Sequence, residues 1–143
     1  MAALTHGDAQ DLVERIKRAW EQRDVDALLD CFADDAELRP DPFLPSMVGE
    51  TDIRAWCNAV AASTIHTEAD AERIWLAGDT VLVAFHGAWT VRASADRTRI
   101  RGMLALELDD DRRVRRARAW APSRVVGTDS TLHPTGDGAV SNP

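Results

Sequence analysis

The sequence predicts an α+β domain in which three helices come first and a long, mostly antiparallel meander follows. Three observations carry that expectation. Apolar residues recur three and four apart up to about Ser63, and two apart after it. Turn-forming clusters, Ala77-Gly78-Asp79, Ser94–Arg97 and Asp109-Asp110-Asp111, divide the second half into segments of strand length. At 143 residues, 45% of them apolar and 29% charged, the chain is long enough to close one packed core. Helices gathered on one face of an antiparallel sheet are the layer arrangement that this order allows.

The elements follow in order. Residues 1–7 read as a frayed start, and Asp8 as the cap of a helix running to about Glu21. Its Leu12, Ile16 and Trp20 fall four apart on one stripe. Asp24 caps a short second helix carrying Val25, Leu28, Leu29 and Phe32. Ala36–Arg39 reads as a short strand ended by Pro40 and Pro42, because proline cannot donate to a ladder. The proline-rich loop Asp41–Val48 leads into a third helix from Gly49 to about Ser63, with Ile53, Trp56, Cys57 and Val60 at helical spacing. Strands are expected at His66–Leu76, Thr80–Arg92, Thr98–Leu108 and Val114–Ala121. One domain over residues 8–124 results. Residues 125–143 lack apolar periodicity and read as a disordered tail.

Composition excludes several function classes. A formal net charge of −7 opposes a phosphate-binding field, and arginines alternating along strands supply no recognition helix, so nucleic acid is not an expected partner. No apolar run reaches the length of a membrane span and the N-terminus carries no signal pattern. The expectation is a cytoplasmic protein with no membrane partner. Cys31 and Cys57 lack metal-ligand spacing and read as buried free thiols. No compact ligand motif, glycine-rich phosphate loop or nucleophile elbow is present, so neither a metal nor a cofactor is expected.

The strand Thr80–Val91, TVLVAFHGAWTV, is apolar on both faces. Val81, Val83, Phe85 and Trp89 alternate with Leu82, Ala84, His86 and Ala88, and successive strand side chains point to opposite sides. His86 is the one polar side chain between Leu82 and Ala88, so the face it joins matters for chemistry.

The strings RDVDALLDCFADDAEL at Arg23–Leu38, VGETDIRAW at Val48–Trp56 and RRVRRARAWAP at Arg112–Pro122 resemble the nuclear-transport-factor-two-like superfamily, particularly its SnoaL-like and ketosteroid-isomerase-like branches. The resemblance covers about Asp8 to Pro122 and implies a cone: helices closing a curved sheet around a pocket. It implies that Leu82, Ala84, His86 and Ala88 face into the cone, joined by Ile100, Gly102, Leu104 and Leu106 and by Ala117 and Ala119. Ile16, Trp20, Phe32 and Trp56 would close it from the helices. Alanine and glycine at these positions leave space for a flat or polycyclic ligand. The remaining apolar residues, Val83, Phe85, Trp89, Met103, Ala105 and Trp120, would form an outer face rimmed by arginines, and a homodimer through that face is expected.

Carried over position by position, the isomerase's tyrosine network falls on Ile16, Phe32 and Cys57, its protonated acid on Leu104 and its base on Pro40, so steroid-isomerase chemistry is not expected. Similarity to scytalone dehydratase implies a catalytic histidine at His66, with Glu21 near a family carboxylate and Trp20 near a tyrosine. The expected function is cofactor-independent acid/base chemistry, namely cyclisation, dehydration or isomerisation, on a hydrophobic carbonyl-containing metabolite. His66 would be the base, Asp41 or Glu21 would orient it or position water, and His86 would polarise the substrate oxygen. Two alternatives stand beside it: epoxide opening with Asp41 essential, and a non-catalytic ligand-binding or scaffold module.

Overall fold

The computed structural model describes residues 3–132. Helix α1 spans His6–Gln22, α2 Val25–Asp30 and α3 Glu50–Ser63. The strands are β1 Phe32–Arg39, β2 Met47–Val48, β3 Thr64–Ala77, β4 Thr80–Val91, β5 Asp96–Leu108, β6 Val114–Trp120 and β7 Ser123–Thr128. The helices pack on an open, curved seven-stranded sheet ordered β2-β1-β6-β5-β4-β3, with β7 also paired to β5. All pairings are antiparallel except that of β1 with β6. No helix among the described residues is long and apolar enough to cross a membrane.

Helix α1 begins ahead of the expected start because Thr5, not Asp8, is its cap. The Asp8 N–H donates to Thr5 Oγ1 and the Thr5 N–H donates to Asp8 Oδ2, each at 3.0 Å, which is a reciprocal capping box. Asp24 caps α2 by accepting the Ala27 N–H at 3.1 Å. Between them Arg23 ends α1 in the left-handed region at φ 55°, its N–H directed to the Ala19 and Trp20 carbonyls. Phe32 belongs to β1 rather than α2, because β1 pairs with β6 from Phe32 opposite Val114 onward.

The core lies between helices and sheet. Leu12, Leu28, Ile53, Val81, Val83, Leu106 and Val114 are all buried there. This corrects the expected parity of β4. Val81 pairs with Leu106 and Val83 with Leu104, so they share the inner face, while Leu82, Ala84 and His86 lie opposite Ala105, Met103 and Arg101 on the outer one. Partners across an antiparallel ladder project to one side of the sheet. Leu104 and Leu106 were correctly expected inside, as were Ala117 and Ala119. The two apolar faces of β4 give alternation nothing to choose between, and on β3 a bulge turns His66, expected toward the cone, outward.

Residues 125–128, expected in the tail, are instead part of β7, which runs along Asp96–Ile100 of β5. The segment has no apolar period because it is exposed throughout, and backbone pairing alone places it. The rest of the expected tail, residues 133–143, lies outside the described residues.

Candidate functional site

Two bulges in β3 decide where its side chains go. Between the pairs Ile65–Thr90 and Glu68–Ala88 the strand carries an extra residue, and His66 there takes a left-handed φ of 54°. His66 consequently turns toward Thr90 and Asp129. Its Nδ1 lies 2.8 Å from Asp129 Oδ2, which also accepts the Thr90 hydroxyl at 2.7 Å. Arg97 donates to the His66 carbonyl at 2.6 Å and to Thr90 Oγ1 at 3.2 Å, and pairs with Glu68. The Asp129 carboxyl is held well below its usual range, first by the Thr131 hydroxyl and then by Thr90 and His66. This is an oriented imidazole on strained backbone. Asp129 escaped the sequence reading because it sits in a segment without periodicity. Its one local signal is Asp129-Ser130-Thr131, whose Thr131 N–H and hydroxyl both donate to Asp129 Oδ1.

The other expected acid/base residues do not join His66. His86 is 49% exposed on the outer face, where Nδ1 meets Glu72 Oε2 at 2.8 Å and Arg101 reaches the same carboxylate at 2.7 Å. That pairing, chiefly with His86 and then Arg101, holds the Glu72 carboxyl below its usual range. Asp41 is exposed and accepts the Phe43 N–H at 2.9 Å, a turn that closes its own proline-flanked loop. Glu21 accepts the Ala69 N–H at 3.0 Å and the Lys17 ammonium at 2.9 Å. Burial pushes its pKa up, but these two donors outweigh burial and keep it ionised. The expected triad of His66, His86 and Asp41 is therefore not assembled in one cavity.

What the inner side offers is an apolar wall. Trp20 and Trp56 stack with ring centroids 6.0 Å apart at 26°. Ile16, Phe85 and Leu104 are half-buried against the core, and Ala119, opposite Leu104 on the ladder, is half-buried. Phe32 is buried and packs as core rather than lining open space. Leu82 and Ala84, expected on this wall, are on the outer face, and Ala88 follows their parity although its neighbours bury it. Gly102 leaves no room either: a side chain there would meet the Trp120 carbonyl oxygen at 2.1 Å, because the chain leaving β6 crosses over it.

At one end of this wall a cleft of about 20 Å³ opens between α1, α2, α3 and the start of β3. Ala19, Trp20, Arg23, Cys57, Val60, Thr64 and Thr67 are among its lining residues. Burial pushes the Cys57 thiol up to about 11, so it sits there as a neutral, inert group. Among the described residues no three metal-ligating side chains converge.

The outer face carries Leu82, Ala84, Met103 and Ala105 between two arginine–tryptophan pairs. Arg73 lies 5.1 Å over the Trp75 ring and Arg118 5.4 Å over Trp120.

Comparison with known proteins matches residues 13–116 to the model of the SnoaL-like domain. Among curated proteins none matches. Among solved structures, the chain is similar to SalBIII, described as an epoxide hydrolase/cyclase-like enzyme in pyran ring formation in polyether salinomycin. The TM-score is 0.75 at 16% identity, over 84% of this chain and 97% of that one. A SnoaL-like protein of unknown function from Burkholderia thailandensis gives 0.69 at 19% identity over 85% and 99%. A putative SnoaL-like polyketide cyclase from Shewanella denitrificans gives 0.71 at 14% over 80% and 90%. At these identities the structures establish a shared fold, and the domain match covers most of the chain. The chain belongs to the SnoaL-like family.

Proposed function

We propose that this SnoaL-like domain binds a hydrophobic, carbonyl-containing small molecule of polyketide-like character on its inner wall. The observation that carries the reading is the apolar surface of Trp20, Trp56, Ile16, Phe85 and Leu104, which packs against the core and is only partly covered by it. Holding is favoured over proton transfer because the acid/base candidates are each engaged elsewhere: Asp41 by its own loop, Glu21 by Lys17 and Ala69, His86 by Glu72. SalBIII and the Shewanella protein lend support, since a polyether pyran ring and a polyketide both imply an oxygenated, largely apolar substrate. Titration with hydrophobic ketones, followed by the indole N–H resonances of Trp20 and Trp56, tests the reading. Trp20→Ala and Trp56→Ala should each weaken binding about tenfold or more, in line with the loss of one stacked aromatic. Unchanged affinity in both variants sinks it.

A second reading, acid/base catalysis by cyclisation, dehydration, isomerisation or epoxide opening, is favoured by one observation, the His66–Asp129 pair on left-handed backbone. In that reading Asp129 orients His66 in the place expected for Asp41 or Glu21. His66→Ala would lower turnover of an identified substrate by roughly 10²–10⁴-fold. Turnover unchanged from wild type in both His66→Ala and Asp129→Ala excludes it.

The outer face suits a second copy of the chain, with Trp75 and Trp120 exposed beside Met103 and Leu82. Sedimentation should give a dimer for the wild type and a monomer for Trp120→Asp. The same mass for both removes this face as the interface.

A further inference from the structure

The bulge that turns His66 outward turns Thr67 toward the helices. The Thr67 hydroxyl is buried with no hydrogen-bond partner among the described residues, and so is Nε of Arg23. Both residues line the one cleft between α1, α2, α3 and β3. A buried polar group left unmade costs about 1–3 kcal/mol, and most buried polar atoms find a partner. Arg113 and Arg118 also leave a buried Nε unpartnered among the described residues, whereas Arg23 shares its cleft with a second such atom, the Thr67 hydroxyl. Arg23 also stands where helix termini favour glycine, at φ 55°, so its side chain is there against the local backbone preference.

The chemistry of the pair is specific. Arginine Nε–H only donates, and a threonine hydroxyl donates as readily as it accepts. Two donors, one of them on a cation, fit an acceptor oxygen. The cleft, at about 20 Å³, has room for about one water-sized group, and Trp20 belongs to both its lining and the apolar wall. We infer that Arg23 and Thr67 form an oxygen-anchoring subsite that receives a carbonyl oxygen of a ligand whose apolar body lies against Trp20. This subsite deepens the binding reading proposed above and rests on it.

The test uses the full chain and two probes of nearly equal shape, acetylnaphthalene and ethylnaphthalene, which differ in the carbonyl oxygen. Binding is followed by the Trp20 indole and Arg23 Nε–H resonances. The ketone should bind about tenfold tighter than the hydrocarbon, as one charge-assisted hydrogen bond allows, and should shift the Arg23 signal. Thr67→Val, which keeps the shape, and Arg23→Gly, which keeps the left-handed cap, should each erase the preference and leave ethylnaphthalene affinity unchanged. Unliganded Thr67→Val should melt no lower than wild type, because it removes an unpartnered hydroxyl. Equal affinity for the two probes in the wild type, or a preference that survives both substitutions, overturns the anchor and leaves the apolar wall standing. So does a Thr67→Val protein that melts several degrees lower and loses both probes equally, since the pair would then hold a structural water. If neither probe moves the Trp20 signal, the anchor and the binding reading fall together.

Discussion

The Asp129 carboxylate gathers the Thr131 hydroxyl and N–H on one oxygen and the Thr90 hydroxyl and His66 imidazole around the other. Those donors hold its pKa well below the ordinary 3.8. A carboxyl whose folded pKa is depressed contributes stability that is complete above the ordinary value and is lost as pH falls through the folded one. Asp129→Asn should therefore melt below wild type at neutral pH. The gap should narrow on acidification from about pH 4 downward. Thermal melts of both proteins across that range check this, and a gap that does not change with pH contradicts it. At this scale His66 was legible in the sequence as a residue of interest, whereas its partner was not. Asp129 lies 63 positions away, and no local pattern ties two residues at that separation.

Among the elements, the join between β6 and β7 constrains the sheet most tightly. After Trp120 the chain bends across β5, and the Arg101 N–H reaches the Pro122 carbonyl at 3.3 Å before β7 resumes pairing. Gly102 sits directly under that crossing, with Trp120 O and Ala121 Cα at 2.1 and 2.5 Å from where a Cβ would stand. The obstacles are backbone atoms, which cannot rotate aside. Gly102→Ala should thus destabilise by at least about 3 kcal/mol, more than ordinary overpacking. A chemical-denaturation midpoint near that of wild type counts against the crossing. From sequence, the glycine reads as space for a ligand, since alternation reports which face a residue joins but not what passes over it.

For the whole molecule, the decisive matter is which face of β4 meets the helices. Leu106→Ala, at a residue 1% exposed and opposite Val81, should cost about 2–5 kcal/mol. Leu82→Ala, on the other face, should cost about 1 kcal/mol or less in the monomer. Denaturation of the two variants side by side checks the assignment, and the reverse order of costs restores the parity expected from the family likeness. With His86 outside and Thr67 inside, the polar end of the cleft is a threonine and an arginine rather than a histidine pair.

The sequence by itself determined the α+β class, the three helices ahead of the four long strands, the helix stripe of Leu12, Ile16 and Trp20, and membership of the SnoaL-like fold. The class and the stripe follow from period and turn chemistry, which act within a few residues, and the family from the likeness of the strings at Arg23–Leu38, Val48–Trp56 and Arg112–Pro122. Only the tertiary structure decided the face of His86, the partner of His66 and the placing of Arg23 and Thr67 on one cleft. A single extra residue in β3 inverts the side chains beyond it until the second bulge restores the parity, and a strand apolar on both faces accepts either register. The choice is made by what packs against the sheet, and that is settled only when the distant elements come together.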